Sequence, residues 1–223
     1  MNINGLTVAE ILNQVAIDIE DQKDYLCFLD GEVGDGDHGV SMTIGMRAVR
    51  RSLADLPTSY LPSDVFDSAA EAYAVEVGAT IGPLYEAAFA AAGDAARDKK
   101  TLDHTSDWLN IYQAMFTAIQ ELGGAELGDK TILDSFHPAI ESMRVSVAAS
   151  SDLADALTLA GQVAMQSARD TKDMVPLKGR ASRLGERAVG HQDAGATSIA
   201  IILQSIAREV AKLQLQINYH FTL

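Results

Sequence analysis

Three aspartates, Asp30, Asp35 and Asp37, fall within eight residues in the stretch Asp30-Gly-Glu-Val-Gly-Asp-Gly-Asp-His38-Gly39. Gly31, Gly34 and Gly36 separate them and let the backbone fold tightly enough to aim three carboxylates at one point. Like charges that close need a cation. Oxygen ligands with no cysteine and few histidines nearby suit a hard ion, Mg²⁺ or Ca²⁺, rather than zinc or copper. Magnesium typically takes only one or two protein carboxylates and leaves its other positions to water and phosphates, so three aspartates could serve one ion fully or two ions partly. An EF-hand starting at Asp35 would need an acid or amide at Gly39 and a glycine at Val40, and has neither. Gly34-Asp-Gly36-Asp-His-Gly39 matches the dinucleotide pattern G-x-G-x-x-G only formally: no apolar strand precedes it, and without a metal two aspartates would repel a pyrophosphate. The plain alternative is a solvated acidic turn.

A second segment, Gly179-Arg-Ala-Ser-Arg-Leu-Gly-Glu-Arg-Ala-Val-Gly-His191-Gln-Asp193-Ala-Gly195-Ala-Thr-Ser198, combines arginines, a histidine, a carboxylate and a helix start. A guanidinium holds phosphate in a fixed, often bidentate geometry, which makes Arg180 the first candidate for a phosphate or ribose contact. Arg180, Arg183 and Arg187 could equally pair with surface acids, and His191 is by type more often structural than a base.

The elements that must position these residues read as helices. Val8, Ile11, Leu12, Val15 and Ile19 fall at helical intervals. So do Trp108, Ile111, Tyr112, Met115, Ile119 and Leu122, then Ile132, Leu133, Phe136, Ile140 and Met143, and finally Ile199, Ile202, Leu203, Ile206, Val210 and Leu213. Ala-rich stretches at 85–97 and 150–168 add more. Alternating strand-like runs are hard to find, so the expectation is an all-α chain of about seven to nine helices with breaks near Pro57, Pro62, Pro83, Gly123-Gly124 and 174–179. Asp37-His-Gly-Val-Ser, Gly128-Asp-Lys-Thr and His191-Gln-Asp-Ala-Gly-Ala-Thr each lead into a helix. The free N–H groups of converging helix starts would cradle phosphate.

Composition narrows the field. With 31 acidic and 17 basic residues in 223, the net charge is −14, which would repel a nucleic-acid backbone or an anionic lipid surface. No apolar stretch approaches the roughly 20 residues of a membrane span, and the start lacks a secretory pattern, so a cytoplasmic protein of one domain, 1–223, is expected. Cys27 is the single cysteine, which rules out an internal disulfide, and its apolar neighbours suggest a buried small residue. No G-x-x-x-x-G-K-[ST] motif is present, so the chain is not a P-loop enzyme.

Asp30-x4-Asp35-Gly-Asp37-His-Gly39, Gly82-Pro-Leu-Tyr85, Gly128-Asp-Lys-Thr131, and Gly179-Arg-Ala-Ser182 followed by Leu184-Gly-Glu-Arg187 and Gly190-His-Gln-Asp193-x-Gly195-Ala resemble, in order and spacing, the nucleotide-binding L subunit or domain of dihydroxyacetone kinases. The resemblance implies an antiparallel eight-helix barrel with the nucleotide at one end. It implies two Mg²⁺ ions on Asp30, Asp35 and Asp37 bridging to the phosphates of ADP or ATP. Nucleotide contacts would fall on His38, Gly39, Val40 and Ser41, on Thr80 and Ile81, on Gly123, on Ile132, on Arg180, and on Asp193, Ala194 and Gly195. It implies no catalytic residue on this chain beyond the metal ligands. A separate K-type subunit would hold the ketose, and the phosphoryl donor would be either free ATP or an M-type protein of a phosphotransferase system that recharges ADP in place. Ile81 stands where the family usually has serine, Glu86 where it has glycine, Ile132 for methionine and Ala194 for proline. The first two motivate the alternative reading, a non-catalytic nucleotide-sensing or regulatory partner of a kinase or transcription factor.

Overall fold

The computed structural model describes residues 1–220, and within them the regular structure is entirely helical. The helices are α1 (Gly5–Asp21), α2 (Lys23–Gly31), α3 (His38–Ala54), α4 (Pro62–Glu76), α5 (Ile81–Ala95), α6 (Thr105–Gly123), α7 (Leu133–Ala148), α8 (Leu153–Asp170) and α9 (Ala194–His220). Between α8 and α9 the chain makes only short 3-10 turns at Thr171–Asp173, Arg180–Arg183 and Gly185–Ala188. None of the helices among the described residues is long and apolar enough to cross a membrane.

Local chemistry explains most boundaries. Asn4 starts α1 by accepting the Thr7 N–H at 3.1 Å, and Asp152 starts α8 by accepting the Ala154 N–H at 2.8 Å. Pro62 occupies the first turn of α4, where Asp64 accepts the Leu61 N–H at 2.7 Å. Gly124, in the left-handed region at φ 57°, ends α6 by donating to the Gln120 carbonyl at 2.8 Å.

From α3 onward each helix packs on the next, through α4, α5, α6, α7 and α8 to α9, and α1 packs on both α3 and α9. The apolar stripes read from the sequence face one shared interior: Val8, Ile11, Val15 and Ile19 of α1, Trp108, Ile111 and Tyr112 of α6, Phe136 and Met143 of α7, and Ile199, Leu203 and Val210 of α9 are all buried there. Leu122 and Leu213, placed on the same stripes, emerge as exposed and half-buried respectively, because each lies in the last turns of its helix. Tyr73 and Tyr85 stack with ring centres 5.2 Å apart, and Phe89 packs tilted against both. The short α2 packs on α3 and α9 and delivers the acidic turn to one end of the molecule.

Candidate functional site

Asp30 sits in the last turn of α2, and the chain reverses at once: its carbonyl accepts the N–H groups of Val33 at 3.1 Å and Gly34 at 2.5 Å. A Cβ on Gly34 would lie 2.5 Å from Asp30 Oδ1, so this turn needs glycine for its close approach. The Asp30 carboxylate accepts the backbone N–H of Asp37 at 2.9 Å and of His38 at 3.3 Å, satisfying the start of α3 in place of a side-chain cap from Asp37. Asp35 and Asp37 are roughly half exposed, and ligand oxygens of all three aspartates lie within 4.8 Å of one another. At such distances each carboxylate pair repels by about 1 kcal/mol in water and several times more in a partly dry site. Arg180 supplies positive charge, pairing closely with Asp35 and donating to Asp37 Oδ1 at 3.2 Å. The donor set, three carboxylates with phosphate-sized space beside them, fits a hard divalent ion.

Behind the acids lies a cavity of about 270 Å³. Four helix starts meet at it: His38 and Ser41 of α3, Ile81 with the preceding Thr80 of α5, Leu133 with the preceding Ile132 of α7, and Ala194, Gly195 and Ser198 of α9. The positive ends of their dipoles favour an anion. Ile81, Leu84, Ile119, Ala125 and Ile132 form an apolar wall on one side, and Gly123 completes the rim. The cavity thus offers a polar, cation-ready mouth and an apolar slot.

Most of the residues expected from the sequence are brought together here. Asp30, Asp37, His38, Ser41, Thr80, Ile81, Gly123, Ile132, Arg180, Asp193, Ala194 and Gly195 line the cavity, with Asp35 in the acid cluster at its mouth. Gly39 and Val40 do not line it. Gly39 faces α2, where a Cβ would come within 2.1 Å of the Lys23 carbonyl, and the Val40 side chain is exposed on the outer face. His38 lines the cavity but is engaged elsewhere. Its Nε2 is 3.0 Å from Ser198 Oγ, which also contacts the Tyr85 hydroxyl at 3.3 Å and donates to the Gly195 carbonyl at 3.0 Å. Burial holds the His38 pKa down at about 4 against the pull of Asp30, so the ring is neutral near pH 7 and ties α3 to α9.

On the far wall Asp193 precedes α9 and accepts the Ala196 N–H at 2.7 Å, while its own N–H donates to the buried Thr171 hydroxyl at 2.9 Å. Burial pushes the Asp193 pKa up to about 6, with the Ala196 N–H and the Lys130 ammonium acting against the rise. Lys130, which the sequence placed only within a motif, is a buried cation in this wall. Ser198, Tyr85, Leu84 and Lys178 were also not singled out as site residues. Leu84 and Tyr85 stood within the Gly82-Pro-Leu-Tyr85 motif and Ser198 at the end of the second segment, whereas Lys178 belonged to neither.

Other expectations resolve as follows. Glu86 is exposed and lies outside the cavity wall, so it adds no charge inside. His191 Nδ1 lies 3.0 Å from Glu32 Oε2, and the residue does not line the cavity. Arg183 and Arg187 are exposed and pair with no acid among the described residues. Cys27 was expected to be buried but is only half-buried, because its helix is short and its sulfur sits at the crossing with Gly39.

The fold and site together define an all-helical protein with a cluster of three aspartates at the mouth of a cavity on which four helix starts converge. A family model described as the DAK2 domain matches residues 32–208, and the chain belongs to that family. It is 33% identical over 205 residues to the PEP-dependent dihydroxyacetone kinase 2, ADP-binding subunit DhaL, of Listeria innocua, covering 91% of this chain and 93% of that one. It is 31% identical over 207 residues to the corresponding PEP-dependent ADP-binding subunit of Escherichia coli, covering 93% and 98%. The D-erythrulose kinase of Mycolicibacterium smegmatis is 36% identical over 201 residues, but this chain spans only 34% of that protein. The crystal structure of the dihydroxyacetone kinase of C. freundii in complex with AMP-PNP and Mg²⁺ superposes with a TM-score of 0.68 at 26% identity, over 93% of this chain and 34% of that one.

Proposed function

We propose that this chain is the ADP- or ATP-binding component of a dihydroxyacetone-type kinase, a single domain that passes a phosphoryl group to a short ketose held on a separate ketose-binding subunit. The observation that carries the proposal is the triad of carboxylates set at the mouth of a cavity where four helix starts meet. Asp30, Asp35 and Asp37 would hold two Mg²⁺ ions. When bound, these would neutralise the phosphate oxygens and so stabilise charge on the transferring group. The helix starts and Arg180 orient the phosphates, and Ile81, Leu84 and Ile132 offer the base an apolar slot. In the transfer, the bond between the γ-phosphorus and the β-γ bridging oxygen breaks as a ketose hydroxyl oxygen bonds to phosphorus, and the hydroxyl proton leaves to a base on the partner. Positioning and charge stabilisation are the whole contribution asked of this chain, which suits a site with no nucleophile. The succession of helix contacts from α3 to α9, closed by α1, supports the eight-helix barrel as the scaffold, with α2 as an added short helix.

Titration calorimetry with Mg²⁺ and ADP tests the reading. Binding is expected in the parent, and Asp37→Asn should weaken it at least tenfold while the far-ultraviolet dichroism stays unchanged. Equal affinity in the two proteins would remove the aspartates from the site. A coupled assay with a ketose-binding subunit and a panel of dihydroxyacetone, D-erythrulose and L-erythrulose then identifies the acceptor, since relatives are named for each of these sugars.

A second reading of the donor has its own support. The relatives that this chain covers almost completely are named as PEP- or PTS-dependent, whereas it spans about a third of the erythrulose kinases. On that reading ADP stays bound and is recharged by a phosphotransferase protein. Slow exchange of bound ADP, over many turnovers, would favour it, and exchange faster than turnover would favour free ATP.

A further inference from the structure

Lys130 is a buried charged residue of the cavity wall whose charge neither the proposed metal cluster nor the phosphate contacts require. Its side chain is 2% exposed, and its backbone is held in the left-handed region at φ 61°, which costs about 1–2 kcal/mol in a residue with a Cβ. The ammonium donates to the Ala188 carbonyl at 2.7 Å and to the Met174 carbonyl at 3.1 Å. These two carbonyls are the two stems of the strap that carries Arg180. The chain leaves α8 at Thr171, runs out past Met174, presents Arg180 to Asp35 and Asp37, and returns through Ala188 to the start of α9.

The strap has almost no core of its own. From 175 to 190 only Pro176 and Ala188 are buried, so apolar packing does little to fix its position. Polar ties do instead. The Leu177 N–H donates to the Asp129 carbonyl at 3.0 Å and holds the outgoing stem, while the Gly190 N–H donates to the Lys172 carbonyl at 2.7 Å and joins the stems to each other at their base, without fixing them to the cavity wall. Lys130 joins both stems at one atom. Hydrogen bonds from a charged donor are each worth about 1.5–3 kcal/mol, enough to compensate the strained backbone. Burial lowers the ammonium's pKa, and the carboxylates of Asp193 and Asp173 oppose that shift.

We propose that Lys130 is a positioning residue for nucleotide binding: by pinning both stems of the strap it holds Arg180 over the aspartate cluster. The inference rests on the reading above that the cavity takes a magnesium nucleotide. Its mechanical half does not. Lys130→Met keeps the length of the stem and removes the ammonium, leaving both carbonyls without that donor.

Four proteins decide the matter: the parent, Lys130→Met, Arg180→Ala and the double variant, each measured by calorimetry with Mg²⁺ and ADP and by amide hydrogen exchange without nucleotide. In Lys130→Met the amides of Leu177, Leu184 and Gly190 should exchange at least tenfold faster while those of α4 and α5 keep the parent rates. ADP affinity should fall at least tenfold in Lys130→Met, but less than twofold when Arg180 is already alanine, because the lysine then has nothing left to position. Additive losses in the double variant, unchanged strap exchange, or faster exchange spread equally over α4 and α5 would each overturn the inference. Should the parent bind no ADP, the proposed function fails, and the exchange pattern alone decides whether Lys130 pins the strap.

Discussion

Asp193 carries an electrostatic cost that its surroundings only partly relieve. Its pKa is pushed up to about 6 chiefly by burial, so the folded protein holds this proton more tightly than the unfolded chain, whose carboxyl titrates near the ordinary value of 3.8. Stability contributed at this position is therefore present below the lower value and is lost as pH rises through the window up to about 6. Asp193→Asn keeps an oxygen for the Ala196 N–H and removes the charge. Urea denaturation should show the variant gaining up to about 2 kcal/mol on the parent at pH 7 and nothing at pH 4, and a gain equal at both would disprove the account. Gly39 makes a steric prediction instead. A Cβ there would overlap the Lys23 carbonyl, so Gly39→Ala should cost about 1–3 kcal/mol and lower ADP affinity by moving α2, while Val40→Ala beside it should change stability by less than about 0.5 kcal/mol. At this scale the acid cluster was legible in the sequence, because three aspartates spaced by glycines have few other uses. Lys130 was not. Its partners lie 44 and 58 residues away and are backbone carbonyls, which leave no trace in side-chain pattern.

Among the elements, α1 and α9 are joined by a polar cluster in which Asp18 of α1 accepts from both Ser205 and Arg208 of α9. Burial raises the Asp18 pKa, but the hydrogen bonds from Ser205, Arg208 and Gln14 outweigh it and hold the carboxyl below its usual value. A lowered value means that the stabilisation is complete above about pH 4 and is lost as pH falls through the folded pKa. Asp18→Asn should thus lower stability at pH 7 by about 1–3 kcal/mol and flatten the acid limb of a stability-against-pH curve followed by dichroism, and a limb unchanged in slope would exclude Asp18 as its source. The long helices were legible because each buries one continuous face. The turn at 32–37 and the strap at 174–190 were recognisable only as breaks or as motifs. Their shapes follow from capping of α3 by Asp30 and from ties to Asp129 and Lys130, contacts between residues that sequence periodicity does not relate.

For the molecule as a whole, the succession of helix contacts implies that no helix pair can unfold alone without uncovering its neighbours. Trp108, 1% exposed in α6, reports on the interior away from the α1–α9 seam. Its fluorescence and the helical dichroism should therefore lose their native signals at the same denaturant concentration, and separated midpoints would divide the chain into independent units. The same closure has a consequence for how the protein is made. Arg208 meets Asp18 across 190 residues of chain, one of the most distant pairings in the structure. During synthesis α1 leaves the ribosome long before α9, and the flank that α9 covers stays wet until α9 follows. The seam is thus the step with the largest loop to close and the longest wait. A nascent chain halted before α9 would expose that unpartnered apolar flank to chaperones and to its own copies.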